Sequence, residues 1–120
     1  MKSIIIADDD PAIRDIFELI FKRAGYEITT YSSGEALIHN EFELPSLFIL
    51  DMQLSGVDGL EVCKFLKSQE STRNIPVIML SASPYIAMMS EQAGADDFIA
   101  KPFDMSHILA KVNNLIQKRK

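Results

Sequence analysis

A chain of 120 residues, 48% of them hydrophobic, is sized for one domain with a single apolar core and leaves no room for a second domain. A formal charge of −5, from 12 basic and 17 acidic residues, argues against a general nucleic-acid surface, which needs a clustered positive field. The only cysteine, Cys63, excludes an internal disulfide and a cysteine-built zinc site, so a reduced, cytoplasmic setting is the expectation.

After Met1-Lys2, the apolar run Ile4 to Ala7 stops at Asp8, Asp9 and Asp10. It is too short for a signal-peptide core or a membrane span and reads as a buried strand. Asp10-Pro11 supplies a cap and a first-turn proline for a helix on which Ile13, Ile16, Phe17, Ile20 and Ala24 share a face. From Tyr26 to Tyr31 the pattern alternates, with Tyr26, Ile28 and Thr30 on one side and Glu27, Thr29 and Tyr31 on the other, which suits an edge strand. Ser32 with Glu35 resembles a capping box for a second helix.

Leu47 to Leu50 and Val77 to Leu80 are continuous apolar runs, as expected of strands buried on both faces. Leu60, Cys63 and Leu66 mark the helix between them, and Ser83-Pro84 predicts the start of a fourth helix. On that helix Ile86, Met89 and Ala93 suffice to face a sheet, which leaves Tyr85 and Met88 as a second stripe suited to a protein partner. Phe98 to Ala100 is the last strand, and Ile108, Leu109, Val112, Leu115 and Ile116 line the last helix, with Lys118-Arg119-Lys120 as its basic end. Five strands alternating with five helices predict an α/β fold, a doubly wound parallel sheet in one domain spanning residues 1–120.

Parallel strands end on one edge, where open α/β folds bind ligands. The first ends in Asp8-Asp9, the third in Asp51, the fourth in Ser81 and the fifth in Lys101. Clustered carboxylates repel unless a cation balances them, and oxygen ligands of this kind suit a hard divalent ion such as Mg²⁺. An ionised carboxylate can attack phosphorus while a metal, a lysine and a hydroxyl stabilise the transferred oxygens; Asp51, Lys101 and Ser81 supply such groups.

The segments IIIADDDPAIRD, LFILDMQLSGVDGLEV, VIMLSAS and GADDFIAKPF resemble, in order and spacing, the receiver domain of response regulators in two-component signalling. The resemblance implies a flavodoxin-like (βα)5 sheet with strand order 2-1-3-4-5. It implies Asp51 as phosphoacceptor, Mg²⁺ held by Asp8, Asp9, Asp51 and the backbone carbonyl of Gln53, and Lys101 and Ser81 on the phosphoryl oxygens. Ser81 and Phe98 would form the switch, and Lys101-Pro102 would be a cis bond. The implied donor is a phosphohistidine on a sensor histidine kinase or a histidine phosphotransfer protein. The implied output is a protein target, reached through the helix containing Tyr85 and Met88, with no direct nucleic-acid or membrane contact. Beyond phosphotransfer to its own aspartate and hydrolysis from it, no enzymatic activity is implied.

Some positions depart from the family pattern. Ser55 stands where proline is common, which suggests a looser loop; Ser81 replaces threonine and keeps the hydroxyl; Phe98 lacks a phenol. Gln53 and Ser83 occupy positions that tune phosphate lifetime. Asp10 reads as a cap and Cys63 as packing; Asp58, Asp96 and Asp97 fit turns or solvated loop ends, and His39 and His107 the surface. A haloacid-dehalogenase-like phosphatase would want an acidic residue where Gln53 stands. A flavin protein would not place three aspartates where phosphate must bind. A degenerate receiver used only for protein binding would lack some of the reacting groups.

Overall fold

The computed structural model describes residues 2–118. Its elements alternate as β1 (Ser3–Ala7), α1 (Pro11–Arg23), β2 (Glu27–Tyr31), α2 (Glu35–Ile38), β3 (Leu47–Asp51), α3 (Gly59–Ser68), β4 (Val77–Ser81), α4 (Ile86–Gln92), β5 (Asp97–Ala100) and α5 (Met105–Lys118). All strand pairs are parallel, in the order β2-β1-β3-β4-β5. This is the expected doubly wound sheet. Lys118 closes α5, whereas Arg119 and Lys120 of the expected basic end lie outside the described residues.

Every residue of β3 and β4 is buried, which is why both read as unbroken apolar runs. Alternate residues feed two cores. On one face Ile5, Phe48, Leu50, Val77 and Met79 meet Leu37 of α2, Val62, Cys63 and Leu66 of α3, and Ile86 of α4. On the other, Ile4, Ile6, Ile49, Ile78 and Leu80 meet Phe17 and Phe21 of α1 and Ile108, Val112 and Ile116 of α5. The chain leaves β1 toward one face and β2 toward the other, so the connections diverge above the carboxyl ends of β1 and β3. A crevice at that switch point is the natural ligand site.

Asp10 caps α1 as expected, its carboxylate accepting from Ala12 N at 2.9 Å. The buried stripe of α1 runs through Phe17 and Phe21, and Ile16 is 48% exposed, contrary to the face expected of it. Neighbouring helical positions are about 100° apart, so a stripe centred on Phe17 turns Ile16 to its margin. The helix ends in a Schellman motif: Tyr26 N donates to Phe21 O at 3.0 Å and Gly25 N to Lys22 O at 3.1 Å. Gly25, at φ 93°, takes the left-handed position that this turn requires.

Two helix starts differ from expectation. No capping box forms at Ser32 and Glu35: Gly34 precedes α2 without a side-chain cap, and the helix is a single turn. Ser83-Pro84 starts a separate turn instead of α4 itself. Ser83 Oγ accepts from Tyr85 N at 3.1 Å and Ser83 O from Ile86 N at 3.3 Å, so α4 begins at Ile86. Tyr85 and Met88 are 64% and 53% exposed, while Ile86 and Ala93 are buried, matching the two-stripe reading. Among the described residues no helix is long and apolar enough to cross a membrane.

Candidate functional site

Asp8 directly follows β1, and its N–H donates to Tyr31 O at 3.0 Å, which ties it to the end of β2. Its carbonyl accepts from Arg14 Nη1, one turn into α1, at 2.7 Å. Asp51 is the last residue of β3, beside the start of α3. Gly59 N donates to Met52 O at 3.0 Å, and a Cβ on Gly59 would stand 1.9 Å from the Asp51 carbonyl oxygen. Only glycine permits so close an approach. Lys101 leaves β5 with its N–H on Ser81 O at 2.8 Å, and the Lys101-Pro102 bond is cis.

Within this frame Lys101 Nζ lies 3.0 Å from Asp51 Oδ2 and 3.4 Å from Asp8 Oδ2. The other oxygen of each carboxylate accepts from a backbone amide: Asp51 Oδ1 from Gln53 N at 3.1 Å, and Asp8 Oδ1 from Asp10 N at 2.9 Å. Asp9 is exposed and meets Ser55 Oγ, which donates to its Oδ2 at 3.3 Å. One carboxylate oxygen from each of Asp8, Asp9 and Asp51 falls within 4.8 Å of the others.

Burial raises the Asp8 pKa, the charge of Asp51 adds to the rise, and the Asp10 amide and Lys101 oppose it. Burial pulls Lys101 downward, but hydrogen bonding and charge from Asp51, with the charge of Asp8, outweigh it and raise its pKa. Asp8 and Asp51 share the one ammonium and Asp9 does not touch it, so the cluster of three carboxylates retains a net negative charge. A compact, all-oxygen, anionic donor set is the chemistry that a hard divalent cation requires, so the residues present fit Mg²⁺.

Asp8, Asp9, Asp51 and Lys101 are thus brought together. Ser81 ends the neighbouring strand, one residue beyond Leu80, the register partner of Asp51. Its buried hydroxyl accepts from Ser83 N at 2.9 Å and makes no hydrogen bond to the acidic cluster. Gln53 meets Asp51 through its N–H. Phe98 is half-buried on β5, packed against the core shared with α4, with Lys111 Nζ 6.0 Å from its ring centre. His39 and His107 are exposed, and Cys63 is packed, with burial pushing its thiol up to about 11.

The loop after Asp51 is not slack. Ser55 stands in a parallel bridge position with Ser33, and its hydroxyl, which a proline would lack, bonds Asp9. Asp58 caps α3 through Leu60 N at 2.9 Å, in keeping with its structural reading. Asp96 and Asp97, expected in turns or solvated ends, form ion pairs: Asp96 with Lys67 at 2.6 Å, Asp97 with Lys111 at 2.9 Å. Arg14 and Ser55 were not legible as site residues, since nothing in their spacing marks contacts that folding creates.

Residues 4–113 match the model of the response regulator receiver domain. The DNA-binding dual master transcriptional regulator RpaA of Synechocystis is 39% identical over 98% of this chain and 50% of its own length. The alkaline phosphatase synthesis transcriptional regulatory protein PhoP of Bacillus subtilis is 35% identical over 98% of this chain and 49% of its own. The chain therefore spans about half the length of these curated relatives. Among solved structures, the response regulator TrrA of Thermotoga maritima, in complex with Mg²⁺ and BeF, superposes with a TM-score of 0.84 at 32% identity, covering 96% of this chain and 99% of that one. The receiver domain of a Francisella response regulator gives 0.89 at 28% identity, with full coverage of both chains.

Proposed function

The chain belongs to the response regulator receiver family, and from that premise we propose that it is a phosphorylation-dependent switch in which Asp51 accepts a phosphoryl group from a partner phosphohistidine. The observation that carries this reading is the Lys101 ammonium bridging Asp51 and the buried Asp8 where separate strand ends converge.

Asp51 is the nucleophile. One of its carboxylate oxygens forms the bond to phosphorus as the phosphorus–nitrogen bond of the donor breaks, and the imidazole keeps the electron pair and takes up a proton. Lys101, protonated across the neutral range, balances charge on the transferred oxygens. Ser81 accepts from Ser83 N, which leaves its own hydroxyl hydrogen available to a phosphoryl oxygen. Asp8 and Asp9, with Asp51 and the Gln53 carbonyl, would hold Mg²⁺, which when bound supplies positive charge beside the phosphoryl group. The Mg²⁺-containing TrrA complex supports that choice of ion.

Movement of Ser81 toward the phosphoryl group would let the half-buried ring of Phe98 turn inward, biasing two states of the surface around α4. The donor is a sensor histidine kinase or a histidine phosphotransfer protein. The target is a protein that reads the face carrying Tyr85 and Met88. The relatives named as transcriptional regulators are about twice as long, and we assign these 120 residues, a single cytoplasmic receiver unit, to the switch and not to DNA contact.

Intact-mass measurement after incubation with acetyl phosphate and Mg²⁺ tests the reading. One labile phosphoryl adduct that requires Mg²⁺ and is lost in Asp51→Asn is expected. An adduct surviving in Asp51→Asn, or none in the wild type, refutes it.

A further inference from the structure

Each carboxylate of the acidic cluster is held by a donor from elsewhere, and the donors are unequal. Asp8 and Asp51 each receive a backbone amide and share Lys101. Among the described residues, Asp9 receives only the Ser55 hydroxyl. Asp9 is exposed, so without that contact its side chain would sample several rotamers and would have to be ordered when a cation binds.

Ser55 is suited to hold it. The backbone of Ser55 stands in a parallel bridge position with Ser33, two residues past the end of β2, and it sits two residues beyond Gln53 in the loop that follows Asp51. The hydroxyl therefore links the segment after β1 to the segment after β3, the two walls of the crevice. We propose that Ser55 is a positioning residue, whose hydroxyl presets the Asp9 carboxylate and so raises the affinity of the acidic cluster for a divalent cation. This rests on the reading of Asp8, Asp9 and Asp51 as a cation site. A hydrogen bond from outside the ligand shell leaves the ligand's second lone pairs free and lowers the ordering cost of binding.

The test is titration of the full chain with Mn²⁺, read by water-proton relaxation, for the wild type, Ser55→Ala and Ser55→Thr. Alanine removes the hydroxyl but keeps the backbone pairing with Ser33; threonine keeps both. Ser55→Ala is expected to weaken Mn²⁺ binding about fivefold, the effect of losing one ordinary hydrogen bond. Ser55→Thr is expected to stay within about twofold of the wild type. The Mg²⁺ concentration giving half-maximal acetyl phosphate labelling should rise with the Mn²⁺ constant, while the rate at saturating Mg²⁺ stays unchanged. Unaltered or tighter Mn²⁺ binding by Ser55→Ala, or loss in Ser55→Thr as large as in alanine, overturns the positioning role and leaves the site reading intact. Failure of the wild type to bind Mn²⁺ overturns the site reading itself.

Discussion

Replacing Gly59 by alanine should destabilise the fold more than the same change at any other glycine, because its added carbon makes the shortest contact and meets backbone. The new Cβ would stand 1.9 Å from the Asp51 carbonyl oxygen, 2.8 Å from the Asp51 carbonyl carbon and 3.0 Å from Met52 Cα. Carbon and oxygen normally meet no closer than about 3.3 Å, so α3 and the end of β3 must separate by more than 1 Å at this point, about the length of the deficit. No side-chain rotation can relieve the clash, because the three nearest atoms are all backbone. Separation also strains the Gly59 N to Met52 O bond of 3.0 Å. Overpacking costs about 1–3 kcal/mol and a lost hydrogen bond about 1 kcal/mol, against a gain of at most about 1 kcal/mol from alanine's better helix propensity. About 3 kcal/mol is expected, which for a domain of this size lowers Tm by about 12 °C. Gly25→Ala is the control: its φ of 93° is unfavourable, but nothing lies within 4 Å of the added carbon. That change should cost about 1–2 kcal/mol. Urea and thermal unfolding of both variants measure the difference. A Gly59→Ala protein as stable as Gly25→Ala would refute the steric reasoning.

Asp8→Asn should stabilise the cation-free protein at pH 7, because burial and the charge of Asp51 disfavour the ionised carboxylate by more than the Asp10 amide and Lys101 restore. Since folding raises the Asp8 pKa, its unfavourable contribution is absent below the ordinary value of 3.8 and grows as pH rises through the raised one. The advantage of asparagine should therefore vanish in acid; equal urea midpoints for the two proteins at pH 7 would contradict this. Lys67 Nζ donates to Arg73 O at 3.2 Å, Ile75 O at 2.9 Å and Asp96 Oδ2 at 2.6 Å; Asp96 keeps the Val77 amide and only the Ile75 contact is part-buried, so Lys67→Met should cost about 2 kcal/mol, chiefly through the Ile75 carbonyl. A cost below about 1 kcal/mol in denaturant unfolding would show the tether to be incidental. With its thiol pushed up to about 11 by burial, Cys63 should resist alkylation at pH 8 in the native chain and react in urea; rapid native labelling would contradict its packed position.

Much of the fold follows from local signals. The runs at Ile4 to Ala7, Leu47 to Leu50 and Val77 to Leu80 announce strands because residues covered on both faces have no reason to alternate. Asp10-Pro11 announces a helix start because one residue satisfies an orphan amide and the next needs none. Asp8, Asp9, Asp51 and Lys101 were legible together because parallel strands present their carboxyl ends on one edge, so strand ends in the sequence become neighbours in space.

Other features depend on partners that spacing along the chain does not name. Ile16 turned outward because the packing of α1 on β1 and β3 chose Phe17 and Phe21 as the centre of its stripe. The Ser33–Ser55 bridge, the Ser55–Asp9 bond, the Arg14 contact with Asp8 and the pairs Lys67–Asp96 and Lys111–Asp97 join segments that meet only through strand order, register and crossover. Sequence periodicity reports whether a residue is buried, a property of its own segment. Which donor faces which carboxylate belongs to two segments at once, and the folded sheet decided it.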